Sequence, residues 1–182
     1  ANSEGIIHGS PNILSEGTTE MYRAQEGYPI GYFYGYKTLG VFQSEKQIAE
    51  YTGATLSGTA PGDLIFEDTN KDGVIDDNDR MVIGNAMPDV TGGLNTTVTW
   101  KNVSLYLGFY YSLGGQIYNA AEHNRNMFKY TGTTPSPEVI HNMWLHPGDQ
   151  AIYPRPYNDD YNNARMGNSF YLEDASFIRL QN

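Results

Sequence analysis

Between Thr91 and Gly114 apolar and polar residues alternate with a period of two. Leu94, Val98 and Trp100 alternate with Asn95, Thr97 and Thr99. Val103, Leu105, Leu107, Phe109, Tyr111 and Leu113 then alternate with Ser104, Tyr106, Gly108, Tyr110, Ser112 and Gly114. Successive side chains of a strand point to opposite faces, so the pattern predicts two strands of about ten residues joined by a tight turn at Lys101-Asn102. About ten residues is what a tilted strand needs to cross a bilayer, and one apolar face backed by a small or polar one suits a transmembrane barrel wall. A soluble sandwich produces the same alternation, so the pattern alone leaves both architectures open.

The rest of the chain is less periodic. Residues 1–26 are mostly polar and rich in Gly, Ser and Asn, which predicts an irregular N-terminal segment ahead of the body at 27–182. Gly27 to Tyr36 (GYPIGYFYGY) reads as an aromatic strand with glycines where backbone or neighbouring side chains come close, and Pro29 marks its start or an edge. Ser44-Glu45-Lys46-Gln47 has capping-box spacing, and Gly53 is a stop, so a short helix is expected over 45–52. Asp63 to Glu67 and Met81 to Gly84 are strand-like, while 53–62 is a loop. The long polar stretch from Gln116 to Leu172 predicts short helices near 119–129 and 137–145, then an extended run at Tyr153-Pro154-Arg155-Pro156. Glu173 to Asn182 reads as one more strand.

Charge and composition narrow the function. Eleven Lys and Arg against 21 Asp and Glu give a net charge of −10, which opposes nucleic-acid phosphate and anionic lipid surfaces. Cysteine is absent, excluding disulfides, thiolate nucleophiles and cysteine-zinc sites. No apolar run approaches the roughly 18 residues of a spanning helix. The 15 Tyr and 20 Gly suit strands, turns and an aromatic surface better than a helical bundle.

One segment carries metal-binding spacing. Asp68-Thr69-Asn70-Lys71-Asp72-Gly73-Val74-Ile75-Asp76-Asp77-Asn78-Asp79 sets oxygen side chains at loop positions 1, 3, 5, 9 and 12, Gly at 6 and Ile at 8. Calcium takes six to eight hard oxygen ligands, and this spacing wraps a chain around one ion. Asp68, Asn70, Asp72, the Val74 carbonyl, Asp76 and Asp79 are the expected ligands, and Gly73 permits the bend. Asp79 stands where an EF-hand loop commonly has a bidentate Glu, and its shorter arm weakens or narrows the site. The bland reading is a solvated turn, which does not call for the spaced ligands or for Ile75. Neither flank is a long amphipathic helix, so a structural clamp on a loop is expected rather than a helix-opening switch.

Catalysis has no positive signal. His8, His123, His141 and His146 lack metal-protease spacing, and neither a nucleophile elbow nor a phosphate loop is present. Tyr28, Tyr32, Phe33, Tyr34, Tyr36, Tyr110, Tyr111 and Trp144 are suited to stacking on sugar rings, but such residues more often form cores or interface belts.

Several blocks in one order carry a resemblance. Gly27 to Tyr36, Pro61-Gly62-Asp63-Leu64, and the acidic loop followed by Arg80-Met81-Val82-Ile83-Gly84-Asn85-Ala86-Met87-Pro88 come first. The hairpin with Gly114-Gly115-Gln116-Ile117-Tyr118-Asn119, the Pro154-Arg155 element, and Ser169 to Leu180 (SFYLEDASFIRL) follow. Together they resemble the late portion of the SusC/RagA family of TonB-linked outer-membrane proteins. The resemblance implies a bacterial outer-membrane β-barrel with an internal plug, energised through TonB. It also implies a surface-exposed SusD-like lipoprotein as partner in capturing oligosaccharides or peptides, and outer-membrane lipid around the wall. The plug and TonB-contacting parts are then expected upstream, and the closing strands after Asn182.

The expected fold is therefore mainly β: antiparallel strands of a partial transmembrane β-barrel, with long extracellular loops at about 37–90 and 114–172 carrying short helices. The Lys101-Asn102 turn is then periplasmic, and the calcium loop orders an extracellular segment. The competing expectation is a secreted, calcium-stabilised β-rich binding module, in which protein rather than lipid covers the Val103 to Leu113 face.

Overall fold

A computed structural model describes residues 6–8, 21–25, 27–126, 134–156 and 167–181. In chain order the elements are β1 (Ile6–His8), β2 (Tyr22–Gln25), β3 (Tyr32–Gly35), β4 (Thr38–Val41), α1 (Glu45–Glu50), β5 (Leu64–Phe66) and β6 (Met81–Gly84). They continue with β7 (Val90–Trp100), β8 (Val103–Leu113), β9 (Gln116–Tyr118), α2 (Ala120–Asn126), α3 (Pro137–Asn142), β10 (Leu172–Asp174) and β11 (Phe177–Leu180). The described fold is mainly antiparallel β, in four small sheets ordered β1-β2-β3-β6, β4-β5, β10-β9 and β11-β8-β7. No helix among the described residues is long and apolar enough to cross a membrane.

The predicted hairpin is present with two strands of 11 residues each, in unbroken register from Val90 opposite Leu113 to Trp100 opposite Val103. Its tight turn holds Lys101 at a positive φ of 51°. The short helix is also present: Ser44 caps it by accepting the Gln47 N–H at 3.2 Å, while the Gln47 side chain accepts the Gln43 N–H at 2.7 Å. It ends at Tyr51 in an extended conformation, two residues before the expected glycine stop.

Three expectations change. The Gly27 to Tyr36 run is a turn followed by a strand, because Gly27 and Gly31 both take positive φ and Gly31 donates back to the Arg23 carbonyl at 3.1 Å. Pro29 therefore sits in the β2–β3 turn. The 1–26 stretch, where no regular element is expected, supplies β1 and β2 to the sheet, and the rest of it before Met21 lies outside the described residues. Glu173 to Asn182 is not a single strand. Asp174 accepts the Ser176 N–H at 2.8 Å and breaks the run, so β10 pairs with β9 while β11 pairs with β8.

Two apolar clusters hold the segments on either side of the hairpin together. Tyr36, Val41, Ala54, Leu64, Phe66 and Ile75 form one, and Met21, Phe33, Tyr118 and Tyr171 the other. Phe170 packs against both. Residues from 37–90 and 114–172 thus share one packed body at one end of the β7–β8 hairpin.

Candidate functional site

The acidic loop is anchored at both ends and in its middle. β5, which leads into it, has all three residues buried, and Ile75 lies at 4 % exposure in the first cluster. An apolar residue in the middle of an otherwise polar loop fixes the loop to the body. The Tyr36 hydroxyl adds a further tie, donating to Asp77 Oδ1 at 2.9 Å.

Each expected metal ligand has a definite place. Asp68 accepts the N–H groups of Lys71 and Gly73, at 2.6 and 2.9 Å, which curls the chain back over its first residue. Lys71 and Gly73 both take positive φ in that bend. Asn70 Oδ1 accepts the Asp72 N–H at 2.9 Å and its amide donates to Asp72 Oδ2 at 2.7 Å, while Asp72 Oδ1 accepts the Val74 N–H at 2.9 Å. The Val74 side chain is exposed. Asp76 caps the 3-10 turn at Asp77–Asp79 by accepting the Asn78 N–H at 2.7 Å. Asp79 is fully buried and closes the loop on itself, accepting the Thr69 N–H at 2.9 Å and the Asp76 N–H at 2.8 Å.

Among the described residues no three His, Asp or Glu side chains meet at a point that would hold a metal. The carboxylates hold backbone N–H groups instead. The donor chemistry is nevertheless that of a hard cation, since the loop supplies only carboxylate and amide oxygens. A carboxylate oxygen has two lone pairs, so one accepted N–H leaves it able to bind an ion. Asp68, Asn70, Asp72 and Asp76 keep that capacity. A groove of about 460 Å³ lined by Tyr51, Gly53, Glu67, Asp68, Lys71 and Gly73 gives the loop an approach from solvent. Burial, then the charges of Glu67 and Asp68, push the Tyr51 phenol above its usual range.

A polar joint that no sequence pattern indicates ties the two long segments together. Asp63 is 1 % exposed, and Arg155 meets it through two nitrogens, Nε at 2.7 Å and Nη2 at 3.3 Å. Asp63 also accepts the Ala60 N–H at 2.8 Å, and the Arg155 N–H donates to the Gly62 carbonyl at 2.8 Å. Gln43 bridges the same segments, accepting the Ala151 N–H at 2.8 Å and donating to the Ala151 carbonyl at 2.9 Å. Asp63 and Arg155 stand in two of the blocks that carry the sequence resemblance, which was the one available hint of a shared role.

The β11-β8-β7 sheet has two unlike faces. Register puts Val90, Leu94, Val98, Trp100, Val103, Leu105, Leu107, Phe109, Tyr111, Leu113, Ile178 and Leu180 on one side. The other carries Thr91, Asn95, Thr97, Thr99, Ser104, Tyr106, Tyr110, Ser112 and Arg179. The apolar side is largely bare: Leu94 is 63 % exposed, Val98 55 %, Trp100 70 % and Ile178 72 %, while Leu107, Phe109 and Tyr111 are half-buried. A soluble module would have to cover this band, and the packed clusters lie elsewhere. Eleven residues at about 3.4 Å each, tilted near 45°, rise roughly 26 Å, close to the apolar height of an outer-membrane barrel. At the hairpin tip the Lys101 ammonium lies 4.7 Å from the Trp100 ring centroid, an aromatic-and-cation pairing suited to a membrane–water interface. The sheet has the form of a piece of barrel wall.

Comparison with curated proteins agrees with that form. TonB-dependent receptor P39 of Formosa agariphila is 32 % identical over 197 aligned residues, covering 90 % of this chain and 19 % of the receptor. TonB-dependent receptor P3 of the same organism is 34 % identical over 178 residues, covering 97 % of the chain and 17 % of the receptor. TonB-dependent receptor P26 is 29 % identical over 169 residues, covering 93 % and 16 %. By sequence, the chain is related to TonB-dependent receptors. It spans less than a fifth of the length of these relatives. No protein-family model matches the chain.

Proposed function

We propose that the chain is a wall-and-loop segment of a TonB-dependent importer in the bacterial outer membrane, of the SusC/RagA kind. The whole protein then takes up oligosaccharides or peptides together with a surface SusD-like lipoprotein and draws energy through TonB. The observation that carries the reading is the bare apolar face of β7, β8 and β11, backed by a polar face, in a chain related to TonB-dependent receptors. In this placement the Lys101-Asn102 turn faces the periplasm, and 37–90 and 114–172 form the exterior loops. The chain's own part is to supply wall and mouth; no enzymatic step is assigned to it.

The test is uptake by cells that carry or lack the full-length protein containing this segment. Labelled oligosaccharides and labelled peptides are supplied separately, with and without depletion of TonB. Import of one of the two classes is expected to disappear when either the protein or TonB is removed. Uptake of both classes that survives both removals contradicts import.

The acidic loop is assigned to calcium, with Asp68, Asn70, Asp72, the Val74 carbonyl, Asp76 and Asp79 as its ligands. What supports this is the oxygen-only donor set and the Ile75 anchor, which fixes the loop to the body. Four net negative charges between Asp68 and Asp79, from five Asp and one Lys, favour a bound cation. Bound calcium would offset this repulsion and stiffen the loop. Titration calorimetry of the full-length protein is expected to show calcium binding stronger than magnesium, with Asp68→Asn and Asp72→Asn each weakening it. Equal weak heats for both ions would instead identify a loop held by its own hydrogen bonds.

A further inference from the structure

Away from the acidic loop, a second opening is walled by both long segments. Its volume of about 420 Å³ lies within the range of small-molecule sites, and Trp144, Pro61 and Pro147 line it together with Ser44, Glu45 and Lys46. The indole of Trp144 is fixed on two sides. Its Nε1–H donates to the Gln43 carbonyl at 3.2 Å, and its Cε3 edge rests on Gly62, where a Cβ would come within 2.9 Å of that atom. Main-chain groups around the opening are already engaged. The Gln43 N–H donates to Gln47 Oε1 at 2.7 Å and the Ala60 N–H to Asp63 Oδ2 at 2.8 Å, while the Ala60 carbonyl accepts the Asp63 N–H at 3.1 Å. Pro61 and Pro147 have no N–H to offer.

Recognition of an extended peptide by strand addition draws on open main-chain groups, and this wall spends its own on the fold. What it presents is a flat apolar floor with a polar rim. Glu45, Lys46 and the Ser44 hydroxyl are exposed there, and that hydroxyl keeps its proton to donate while accepting the Gln47 N–H at 3.2 Å. A pyranose ring has the matching form, with C–H groups on its faces and hydroxyls around its edge, and an indole takes such a face by apolar contact. Charge narrows the choice further. Glu45 and Lys46 offset each other at the rim, and Asp63 offsets Arg155 beneath it. Residues 37–90 carry ten Asp and Glu against four Lys and Arg, which repels an anionic chain. We propose that this pocket binds one uncharged pyranose ring of the cargo, stacked on Trp144, with Ser44, Glu45 and Lys46 hydrogen-bonding its hydroxyls. Of the two cargo classes, the pocket thereby selects oligosaccharides.

This assignment rests on the importer reading for the access of cargo to the pocket, and the two fail separately. The full-length protein in detergent, fluorescently labelled, is applied to a printed array of neutral, uronate-bearing and sulfated oligosaccharides and to an array of hexapeptides. Binding to neutral oligosaccharides is expected, weakened roughly ten-fold by Trp144→Ala and less by Trp144→Tyr, which keeps a flat ring. Absence of that binding, or binding that Trp144→Ala leaves unchanged, overturns the pocket. So does a Trp144-dependent signal on hexapeptides or on charged oligosaccharides alone. Should Trp144→Ala fail to assemble, a fluorine placed on the Trp144 indole decides instead. Its resonance is expected to shift when a neutral oligosaccharide bound on the array is added, and a fixed resonance overturns the pocket. TonB-dependent uptake without Trp144-dependent binding sinks the pocket and leaves the importer standing. Trp144-dependent binding with uptake that survives loss of the protein and of TonB does the reverse.

Discussion

A carboxylate as deeply buried as that of Asp63 is tolerated only where a cation and further donors meet it, and Arg155 with the Ala60 N–H does both. Removing one member of such a pair strands the other's charge, at about 3–5 kcal/mol. Arg155→Ala is therefore expected to speed limited proteolysis of the 57–64 segment by roughly two to four orders of magnitude, if cleavage follows local opening. Unchanged cleavage would show that the apolar clusters alone hold the two segments. Asp63→Asn is expected to do less harm, because Arg155, at 22 % side-chain exposure, has water within reach. Nothing in the sequence pairs Asp63 with Arg155: a partner 92 residues away leaves no local spacing to read. The ligand spacing of the acidic loop, by contrast, is local and fully visible, and so is the buried Ile75. What the spacing hides is that Asp76 and Asp79 also act as caps for a 3-10 turn.

At the scale of elements, legibility followed length. β7 and β8 repeat an alternation over 11 residues each, and a one-residue slip would turn the whole apolar set to the other face, so the register shows in the sequence. β1, β5, β9 and β10 have three residues each, too few for any period, and long-range packing decides them. Gly35 is the clearest case. A Cβ there would lie 1.4 Å from the Gly167 carbonyl oxygen, because Tyr36 donates to that oxygen at 2.7 Å and accepts from the Ser169 N–H at 2.9 Å. Glycine in an aromatic strand signals such an approach, yet its partner, 132 residues on, is invisible from the sequence. Gly35→Ala is expected to part these backbones and to speed amide exchange at Tyr36 and Ser169 together. Exchange at wild-type rates would mean that the chain absorbs the methyl by a shift that keeps both hydrogen bonds.

The whole molecule divides into a packed body and a bare sheet. Apolar side chains of the body meet in two clusters joined through Phe170, whereas those of β7, β8 and β11 belong to neither cluster. Such a division is unstable in water and natural in a bilayer, where lipid covers the apolar band and neighbouring strands complete the sheet. The most direct measurement is a nitroxide scan of positions 103 to 113 in the full-length protein in lipid vesicles, comparing collisions with oxygen and with a water-soluble nickel chelate. A barrel wall predicts strict alternation, with oxygen favoured at Leu105, Leu107 and Phe109 and the chelate favoured at Ser104, Tyr106 and Gly108. Uniform low access to both reagents along the strand would place it in a protein core and contradict the wall.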